Sequence, residues 1–349
     1  MNSAFLGMSK INQRKIDHVQ LVGTHSEIDR QRNYFDHIHL SHRALPELAL
    51  EEIESSISLL GKSLSFPLLI SSMTGGSDEA IVKLNHNLAV AAEATGVALA
   101  VGSQRVLLQD PSAASSFALR SSAPDALLIG NIGAVQLNYG VDIQAVEQMI
   151  EVMQADALYL HLNPLQEAVQ PEGDTNFYGL AAKIGQLVKS LSVPVIVKEV
   201  GCGPSAADAE LLIEAGVEYI DVAGAGGTSW ALVESKRSDQ PELGELFSDW
   251  GIPTPEALRL MQPFSNQVEL IASGGIRNGI DMAKAMILGA SVCGLARPFL
   301  APAQESPEAV IEVIERLKRE FCIALFLLGV ESASALIGRE ELMVHEDRD

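Results

Sequence analysis

The stretch VELIASGGIRNGIDMAKAMILGASVCGLARPF, residues 268–299, carries the pattern that decides the fold. It begins with a short apolar run (268–273), continues through a glycine pair and a longer segment, and returns to an apolar run (292–296). Short runs rich in β-branched residues that alternate with longer segments are typical of strands and helices in turn. The stretch therefore predicts one strand, helix and strand unit of a parallel sheet.

The same alternation recurs along the chain from Phe66 onward. The runs that we interpret as strands cover residues 66–73, 97–101, 126–131, 156–162, 193–200, 219–223, 268–273 and 292–296. Eight such units in about 260 residues match a closed (β/α)8 barrel, whereas an open, doubly wound sheet more usually stops at five to seven strands. We therefore predict an α/β protein with a single catalytic (β/α)8 TIM barrel over residues 66–349. An N-terminal extension, residues 1–65, is expected to pack on the barrel and contribute to the substrate site.

Helix starts and ends are marked between these runs. Side-chain oxygens are placed to cap helices at Asp110, Ser205, Thr254 and Ser306. In the last predicted helix, apolar residues recur at three- and four-residue spacing from Val310 to Leu328, and Gly329 follows as the expected C-terminal cap. Residues 228–253 interrupt the sixth unit and contain both tryptophans of the chain, which favours an ordered lid.

The composition excludes several classes of function. The formal net charge is -21 at pH 7, so the chain lacks the basic surface with which proteins bind nucleic acid. The three cysteines show neither metal-ligand spacing nor a disulfide framework. The start of the chain has no apolar signal segment, and the most apolar late stretch, residues 322–330, is too short to cross a bilayer. We expect a cytoplasmic protein that binds neither nucleic acid nor membrane.

Polar side chains follow the predicted strands, where the catalytic residues of such barrels lie. The first two loops, SSMTGG (71–76) and GSQR (102–105), combine glycines, hydroxyls and a guanidinium, which suits phosphate recognition. Asn131 ends the third run. The fourth run continues as HLNPLQE (161–167), where Glu167 can hold a hard cation such as Mg2+. A tight turn, a surface loop, a helix cap and a buried histidine are the ordinary alternatives for these features.

Charged and glycine-rich segments complete the predicted rim. Lys198 lies inside an apolar run, which is a costly place for an ammonium unless it meets an anion at the barrel mouth. The last three runs are followed by glycine-rich loops whose backbone N–H groups can cradle a phosphate, namely residues 223–228, 273–277 and 294–297. Arg14, Lys15 and His18 form the local basic cluster that an acidic protein needs to hold an anion, although a solvated terminus would look the same.

These motifs, in this order, resemble the type 2 isopentenyl-diphosphate isomerases, a flavin-dependent family. HLNPLQE together with VIVKEVG is specific to that family, whereas the glycine loops also occur in other flavin barrels. The resemblance implies bound FMN, Mg2+ for the substrate diphosphate, and NADPH to reduce the flavin. The FMN ligands that it implies are Met73, Thr74, Gly75, Ser103, Asn131, Lys198, Thr228, Gly274, Gly275, Arg277, Ala296 and Arg297. The substrate ligands that it implies are Arg14, Lys15, His18, Ser103, Gln104, Arg105, His161, Asn163 and Gln166, with Glu167 as the magnesium ligand.

The resemblance also implies a reaction, the interconversion of isopentenyl and dimethylallyl diphosphate by 1,3-allylic proton transposition. An unactivated alkene is a weak base that ordinary side chains struggle to protonate, so reduced FMN is the expected acid/base. Gln166, His161 and Lys198 are the expected catalytic side chains, the first two by positioning substrate or relaying protons. A homo-oligomer, a tetramer or octamer, is a further implication.

Three other functions stay open at this point. A 2-hydroxy-acid oxidase would share the phosphate loops, but it needs an active-site histidine in the later loops, and none follows Arg277 before His345. An inosinate-dehydrogenase-like enzyme needs a nucleophilic cysteine after the sixth strand, where this chain has Thr228 and Ser229. A barrel that only stores or senses a phosphorylated ligand would not need the polar residues of the fourth loop. Isomerisation is the function that the residues favour.

Overall fold

A computed structural model describes residues 17–73 and 75–344. Within these residues, eight parallel strands close into a barrel in which each strand pairs with its sequence neighbours and the last pairs with the first. The strands are β1 (Leu68–Ile70), β2 (Ala98–Ala100), β3 (Leu128–Gly133), β4 (Ala157–His161), β5 (Val195–Lys198), β6 (Tyr219–Asp221), β7 (Glu269–Ser273) and β8 (Val292–Leu295). The predicted (β/α)8 barrel is confirmed.

Helices cover the outside of this barrel, and residues 17–24 of the extension are helical as well. In chain order the further α-helices are α1 (Glu79–Thr95), α2 (Ile143–Met153), α3 (Pro164–Val169), α4 (Leu180–Ser190), α5 (Ala206–Glu214), α6 (Trp230–Ser235), α7 (Pro241–Leu246), α8 (Thr254–Met261), α9 (Gly279–Ile287), α10 (Arg297–Glu305) and α11 (Pro307–Leu328). The interruption of the sixth unit is thus folded into α6 and α7, as expected for an ordered segment.

Local sequence determines several of the helix ends. Ser205 and Asp208 exchange side-chain and backbone hydrogen bonds at the start of α5, which is a complete capping box. Ser306 accepts from the backbone N–H of the third helical residue of α11 at 3.2 Å. Gly329 ends α11 with φ of 67°, a left-handed conformation that glycine adopts without steric cost. These three predictions are confirmed.

Of the other two predicted helix starts, the cap at Thr254 is wrong, and the cap at Asp110 is confirmed but begins a different type of helix. Thr254 is the first residue of α8 and not its cap, and its hydroxyl donates to the carbonyl oxygens of Ser273 and Gly274, at 3.0 and 2.7 Å. Asp110 does cap a helix, but the segment Pro111–Ser116 that follows is a 3-10 helix. Its serines compete for backbone hydrogen bonds and favour turns, so no α-helix forms between β2 and β3 in the described residues.

The third strand begins and ends two residues later than the predicted run 126–131. The predicted run ends at Asn131, yet the backbone continues to pair with β4 until Gly133 lies opposite His161. Asn131 is therefore part of the strand. The other seven strands lie within their predicted runs.

Side chains fill the barrel interior and close its amino-terminal end. Leu69, Ile129 and Ile196 belong to an apolar cluster that also includes Leu59 and Leu64. These last two side chains come from the antiparallel hairpin Ile57–Leu59 and Lys62–Leu64, which precedes β1. Because the hairpin packs against one end of the interior, ligands have access to the barrel from the carboxyl ends of the strands.

The extension contacts the barrel at several places along its length. The short strand His39–Leu40 pairs in antiparallel fashion with Met343–Val344. Nearer the amino terminus, the backbone N–H of Arg30 donates to the carbonyl of Gly227 at 3.0 Å, which brings the extension to the loop after β6. None of the helices in the described part of the chain is both long enough and apolar enough to cross a membrane.

Candidate functional site

A cavity of about 750 Å³ opens at the carboxyl ends of the strands. Its wall draws on the loops after all eight barrel strands and on the extension. The predicted site residues in this wall are His18, Met73, Ser103, Arg105, Asn131, His161, Asn163, Gln166, Glu167, Lys198, Thr228, Gly274, Gly275, Arg277, Ala296 and Arg297. Closure of the sheet places all the strand ends on one rim, which is why residues so distant in sequence meet here.

The remaining predicted site residues either lie outside the described residues or do not line this wall. Arg14, Lys15 and Thr74 lie outside the described residues. Gly75 lies behind the wall, where a Cβ atom would come within 2.7 Å of the carbonyl oxygen of Ser103, so this glycine allows two loops to pack together. Gln104 is fully buried. Its amide donates to the carbonyl of Met149 at 3.0 Å and accepts from the backbone N–H of Asn131 at 3.1 Å, so its side chain braces the wall, and its contact with substrate stays a prediction.

The Glu167 carboxylate is buried and held by three donors. One oxygen accepts from the Asn163 side chain at 2.9 Å, and the other accepts from the Gln170 side chain and from the backbone N–H of Asp174, the latter at 2.7 Å. Asn163 Oδ1, also buried, has no hydrogen-bond partner among the described residues. A cation or donor group of a ligand would satisfy this acceptor. The described residues contain no cluster of three or more His, Cys, Asp or Glu that could bind a metal, so a magnesium ion here would need oxygens from ligand and water.

Lys198 ends β5 as a buried ammonium in the floor of the cavity. Its Nζ donates to the carbonyl oxygen of Glu199 at 2.6 Å and lies 5.6 Å from the centre of the Tyr159 ring. The Tyr159 hydroxyl donates to the fully buried Asp221 at 3.0 Å, and burial, followed by the charge of Asp221, raises the pKa of this phenol well above its usual value. Tyr159 therefore stays neutral beneath the ammonium.

Hydrogen bonds orient the other two predicted catalytic side chains. His161 Nδ1 lies 2.7 Å from Asn131 Oδ1, and because that amide oxygen only accepts, the ring carries its proton on Nδ1 in this contact. The Gln166 amide donates to Glu234 at 2.8 Å and accepts from Asn163 at 3.2 Å. Both side chains are therefore held by residues of other elements, Asn131 on β3 and Glu234 on α6.

Glu234, on α6, is a residue that the sequence analysis missed. It is fully buried and accepts from His18 at 3.1 Å, from Gln166 and from Arg237 at 2.6 Å. Burial alone would raise the pKa of Glu234, but the His18 hydrogen bond and charge, with help from Gln166 and Arg237, bring it down to about 2. The Trp230 ring meets the His18 ring edge to face at 5.1 Å. An acidic residue on a loop helix is common in any sequence, so only the fold could identify this one.

The extension also contacts the predicted phosphate loops. Asp29 accepts from the Thr228 hydroxyl at 2.9 Å and forms an ion pair with Arg297. The Asn33 side chain donates to the carbonyl of Gly275 at 2.5 Å. The extension thus touches the loops after β6, β7 and β8, which no spacing in its sequence indicates.

Arg277 has two carboxylate partners, Asp281 at 2.8 Å and Asp36 at 2.5 Å. Its hydrogen bonds to these two groups raise the pKa of the guanidinium above its usual value, so it stays charged. Asp281 is buried in the first turn of α9, whereas Asp36 comes from the extension. Arg277 is thereby oriented from both sides.

The sequence is similar to a protein family profile and to individual proteins. A family profile described as FMN-dependent dehydrogenase matches residues 136–343. The chain is 53% identical to an isopentenyl-diphosphate delta-isomerase of Hydrogenovibrio crunogenus (strain DSM 25203 / XCL-2), over 96% of this chain and 99% of that protein. It is 52% identical to a protein of the same name from Paracoccus zeaxanthinifaciens, over 95% of this chain and 96% of the other.

Solved structures resemble the chain in fold. Mandelate oxidase with (S)-2-phenylpropionate matches with a TM-score of 0.63 and 18% identity, over 97% of this chain and 98% of that one. The recombinant flavin-binding domain of baker's yeast flavocytochrome b2 matches with a TM-score of 0.66 and 19% identity, over 93% and 79% of the two chains. At such low identity the likeness concerns the barrel and carries no statement about activity.

Proposed function

Because the chain belongs to the isopentenyl-diphosphate delta-isomerase family, we propose that it interconverts isopentenyl and dimethylallyl diphosphate with FMN as its cofactor. The observation that carries the proposal is one cavity whose wall contains two separate groups of residues suited to phosphate-bearing ligands. The glycine loops after β7 and β8 lie on one part of the rim, and Arg105 and Glu167 lie on another. A phosphate-bearing cofactor and a diphosphate substrate need such a pair of regions.

The glycine loops support FMN. Gly274 has φ of 91°, and a Cβ atom there would come within 2.1 Å of the Gly224 carbonyl oxygen. Because these loops pack so closely, a phosphate fits beside them only if it contacts backbone N–H groups and no side chain comes between. We propose that Thr228, Arg277 and Arg297 complete the phosphate site. We also propose that the flavin ring and the sugar-alcohol chain of FMN contact the remaining ligands implied by the family motifs, including Met73, Ser103, Asn131 and Lys198. Reduced FMN would supply the electron-rich, proton-carrying surface that protonation of an alkene requires.

The opposite region supports a magnesium diphosphate. Mg2+ prefers oxygen ligands and usually keeps substrate phosphates and water in its coordination shell, so one fixed carboxylate, Glu167, is an adequate protein ligand. The unpartnered Asn163 Oδ1 adds a second oxygen acceptor near it. We propose that Ser103 and Arg105, together with Arg14 and Lys15 of the extension, bind the diphosphate oxygens.

The side chains between the two regions control orientation and charge. Gln166 is held by the ionised Glu234, and His161 by Asn131, so both present fixed hydrogen-bonding groups to a substrate. The Lys198 side chain lies at the cavity floor, a position from which an ammonium group stabilises an anionic ligand. We propose that these three residues position the substrate and the cofactor for proton transfer and that the enclosed cavity limits access of water to the reacting carbons.

We further propose that the extension, residues 1–65, is a functional part of the barrel enzyme. His18 contacts Glu234 and lies in the cavity wall, and Asp29 and Asn33 contact the loops after β6, β7 and β8. These contacts support a role in closing the substrate site. Truncation before residue 38, followed by measurement of KM for isopentenyl diphosphate and of bound FMN, tests this role, and an unchanged KM would refute it.

Three finer proposals concern reductant, location and assembly. We propose that NADPH reduces the flavin, that the protein works in the cytoplasm, and that it assembles into a homotetramer or homo-octamer. All three cysteines are free, which supports a reducing compartment. Leu246 and Trp250, 76% and 63% exposed, support an apolar contact between copies. Light scattering on the purified protein decides the assembly, and a monomer would refute it.

The decisive experiment is an anaerobic isomerase assay on isopentenyl diphosphate in which FMN, NADPH and Mg2+ are each omitted in turn. We expect a yellow protein that bleaches with NADPH and loses activity with each omission. Oxidation of a 2-hydroxy acid with release of peroxide, in place of isomerisation, would refute the proposed function.

A further inference from the structure

The segment PEGD, residues 171–174, folds back over the residue proposed to bind magnesium. A Cβ atom at Gly173 would lie 1.7 Å from the carbonyl oxygen of Glu167, so no side chain fits at that position. The Gly173 N–H donates to the carbonyl of Gln170 at 3.2 Å, which closes the turn. The turn thus carries Asp174 back to the side of Glu167.

The Asp174 side chain holds the arginine proposed to bind the diphosphate. Asp174 Oδ2 accepts from Arg105 NH1 at 2.7 Å and from the Gln136 amide at 2.9 Å. The side chains of Asp174 and Arg105 are 16% and 26% exposed, so the pair is largely shielded from solvent. In the described part of the structure, no residue accepts from Nε or NH2 of Arg105, and these donors remain for a ligand.

The Asp174 backbone contacts Glu167, the proposed magnesium ligand. Its N–H donates to Glu167 Oε2 at 2.7 Å, on the same carboxylate that Asn163 and Gln170 hold. One residue therefore contacts both the guanidinium and the carboxylate. Because both contacts come from one residue, a displacement of the Asp174 backbone would disturb the guanidinium and the carboxylate together.

We propose that Asp174 is a positioning residue that aligns Arg105 and Glu167 for a single magnesium diphosphate, an inference that rests on the proposed function. An arginine side chain loses considerable rotamer freedom when it binds a phosphate, and an ion pair formed in advance removes part of that cost. The carboxylate uses one guanidinium nitrogen and leaves the rest of the fork for phosphate oxygens. The negative charge of Asp174 beside a proposed anion site is useful because it fixes Arg105 in place and leaves the other guanidinium donors accessible to the anion.

The test compares Asp174→Asn and Asp174→Ala with the wild type as FMN-loaded proteins. Calorimetry with inorganic pyrophosphate and Mg2+ measures diphosphate binding, and steady-state assays measure kcat and KM for isopentenyl diphosphate. We expect D174N to weaken pyrophosphate binding and raise KM by about tenfold, with kcat changed less than about threefold, and D174A to do more. When Arg105 is already replaced by alanine, the same Asp174 substitutions should change the pyrophosphate Kd and KM by less than about a further twofold, because their effect passes through Arg105.

A matched control is Asp156→Asn, which breaks a comparable Asp–Arg pair with Arg120 just before β4, at the other end of the barrel. It should lower stability and leave KM and bound FMN unchanged. Retained FMN and circular dichroism verify that the Asp174 variants are folded.

The remaining outcomes separate the inference from the function on which it rests. If the wild type binds pyrophosphate and isomerises but D174N does so with the same Kd and KM, the inference about Asp174 is wrong and the function stands. If D174N raises the half-saturating Mg2+ concentration as much as Glu167→Gln does, Asp174 is a metal ligand and not a positioning residue. If the wild type neither binds pyrophosphate nor isomerises, the diphosphate site is wrong and the inference falls with it.

Discussion

Gln166 on α3, the helix that follows β4, donates a 2.8 Å hydrogen bond to Glu234 on α6, 68 residues later in the chain. The same carboxylate accepts from His18 of the extension. A buried anion therefore joins three segments of the site that no local pattern connects. Removing a buried carboxylate that has this many donors leaves them unsatisfied, which costs more than the loss of an exposed charge.

The low pKa of Glu234 predicts a contribution to stability that depends on pH. Its folded pKa is about 2 and its ordinary value is 4.5, so between these values the unfolded chain binds the extra proton. The stabilisation is complete above the ordinary value and is lost as the pH falls toward the folded one. We expect it to decrease by about 2 kcal/mol between pH 6 and pH 3.

Urea denaturation of the wild type and of Glu234→Gln across that range measures the effect. The free energy of unfolding of the wild type should decrease more steeply with falling pH, so that the difference between the two proteins narrows. If the free energies of unfolding of the two proteins fell in parallel with decreasing pH, the low pKa of Glu234 would be contradicted. Glu242→Gln, at an exposed position on α7, is the control variant.

Substitution of Gly274 by alanine should separate the loops that we propose to hold the cofactor phosphate. The Cβ atom would meet the Gly224 carbonyl oxygen at 2.1 Å, in addition to the strain of a φ of 91°. We expect a loss of stability of about 3 kcal/mol or more and FMN binding weakened at least about tenfold, measured by thermal unfolding and flavin fluorescence.

Gly289→Ala is a matched control for this prediction. Gly289 also has a positive φ, 105°, but a Cβ atom there has no neighbour within 4 Å. It should cost about 1–2 kcal/mol through backbone strain alone and leave FMN affinity unchanged. Equal FMN loss in both variants would mean that strain, and not loop separation, is responsible.

Glu167→Gln should raise the concentration of Mg2+ that gives half-maximal activity, because the amide removes the charge that the described site offers to the cation. A tenfold to hundredfold rise, roughly the effect of losing a metal-site group, is expected in assays over a range of Mg2+ concentrations. Glu210→Gln, on the exposed face of α5, should show the wild-type dependence. An unchanged dependence in E167Q would exclude Glu167 as the ligand.

Lys198→Met should lower kcat by about a hundredfold while leaving the protein folded, because it removes the charge of the cavity floor and keeps an unbranched apolar side chain. The absorption spectrum of bound flavin reports directly on the loss of that charge. Lys189→Met, near the exposed end of α4, provides the comparison. A wild-type kcat in K198M would mean that Lys198 serves only packing.

Much of the candidate site could be predicted because the fold brings strand ends together. Asn163, Glu167 and Lys198 were identifiable since polar side chains at the ends of apolar runs must lie at the rim of a barrel. The sequence could not show the surroundings of Gln104, because its position beside Ser103 and Arg105 says nothing about the direction of its side chain, which points into the wall. The burial of a polar group is decided by neighbours from other segments.

The amino-acid sequence by itself determined the number and order of the barrel strands, most of the helix caps and the set of loops that meet at the cavity. Those features depend on periodicity, capping and glycine content within a few residues, which are local properties. Only the tertiary structure decided that Glu234 holds Gln166 and His18, that Asp29 and Asp36 hold the phosphate-loop arginines, and that Asp174 joins Arg105 to Glu167. Ion pairs and hydrogen bonds act over about 3 Å, so which groups form them depends on how the closed chain brings distant segments into contact.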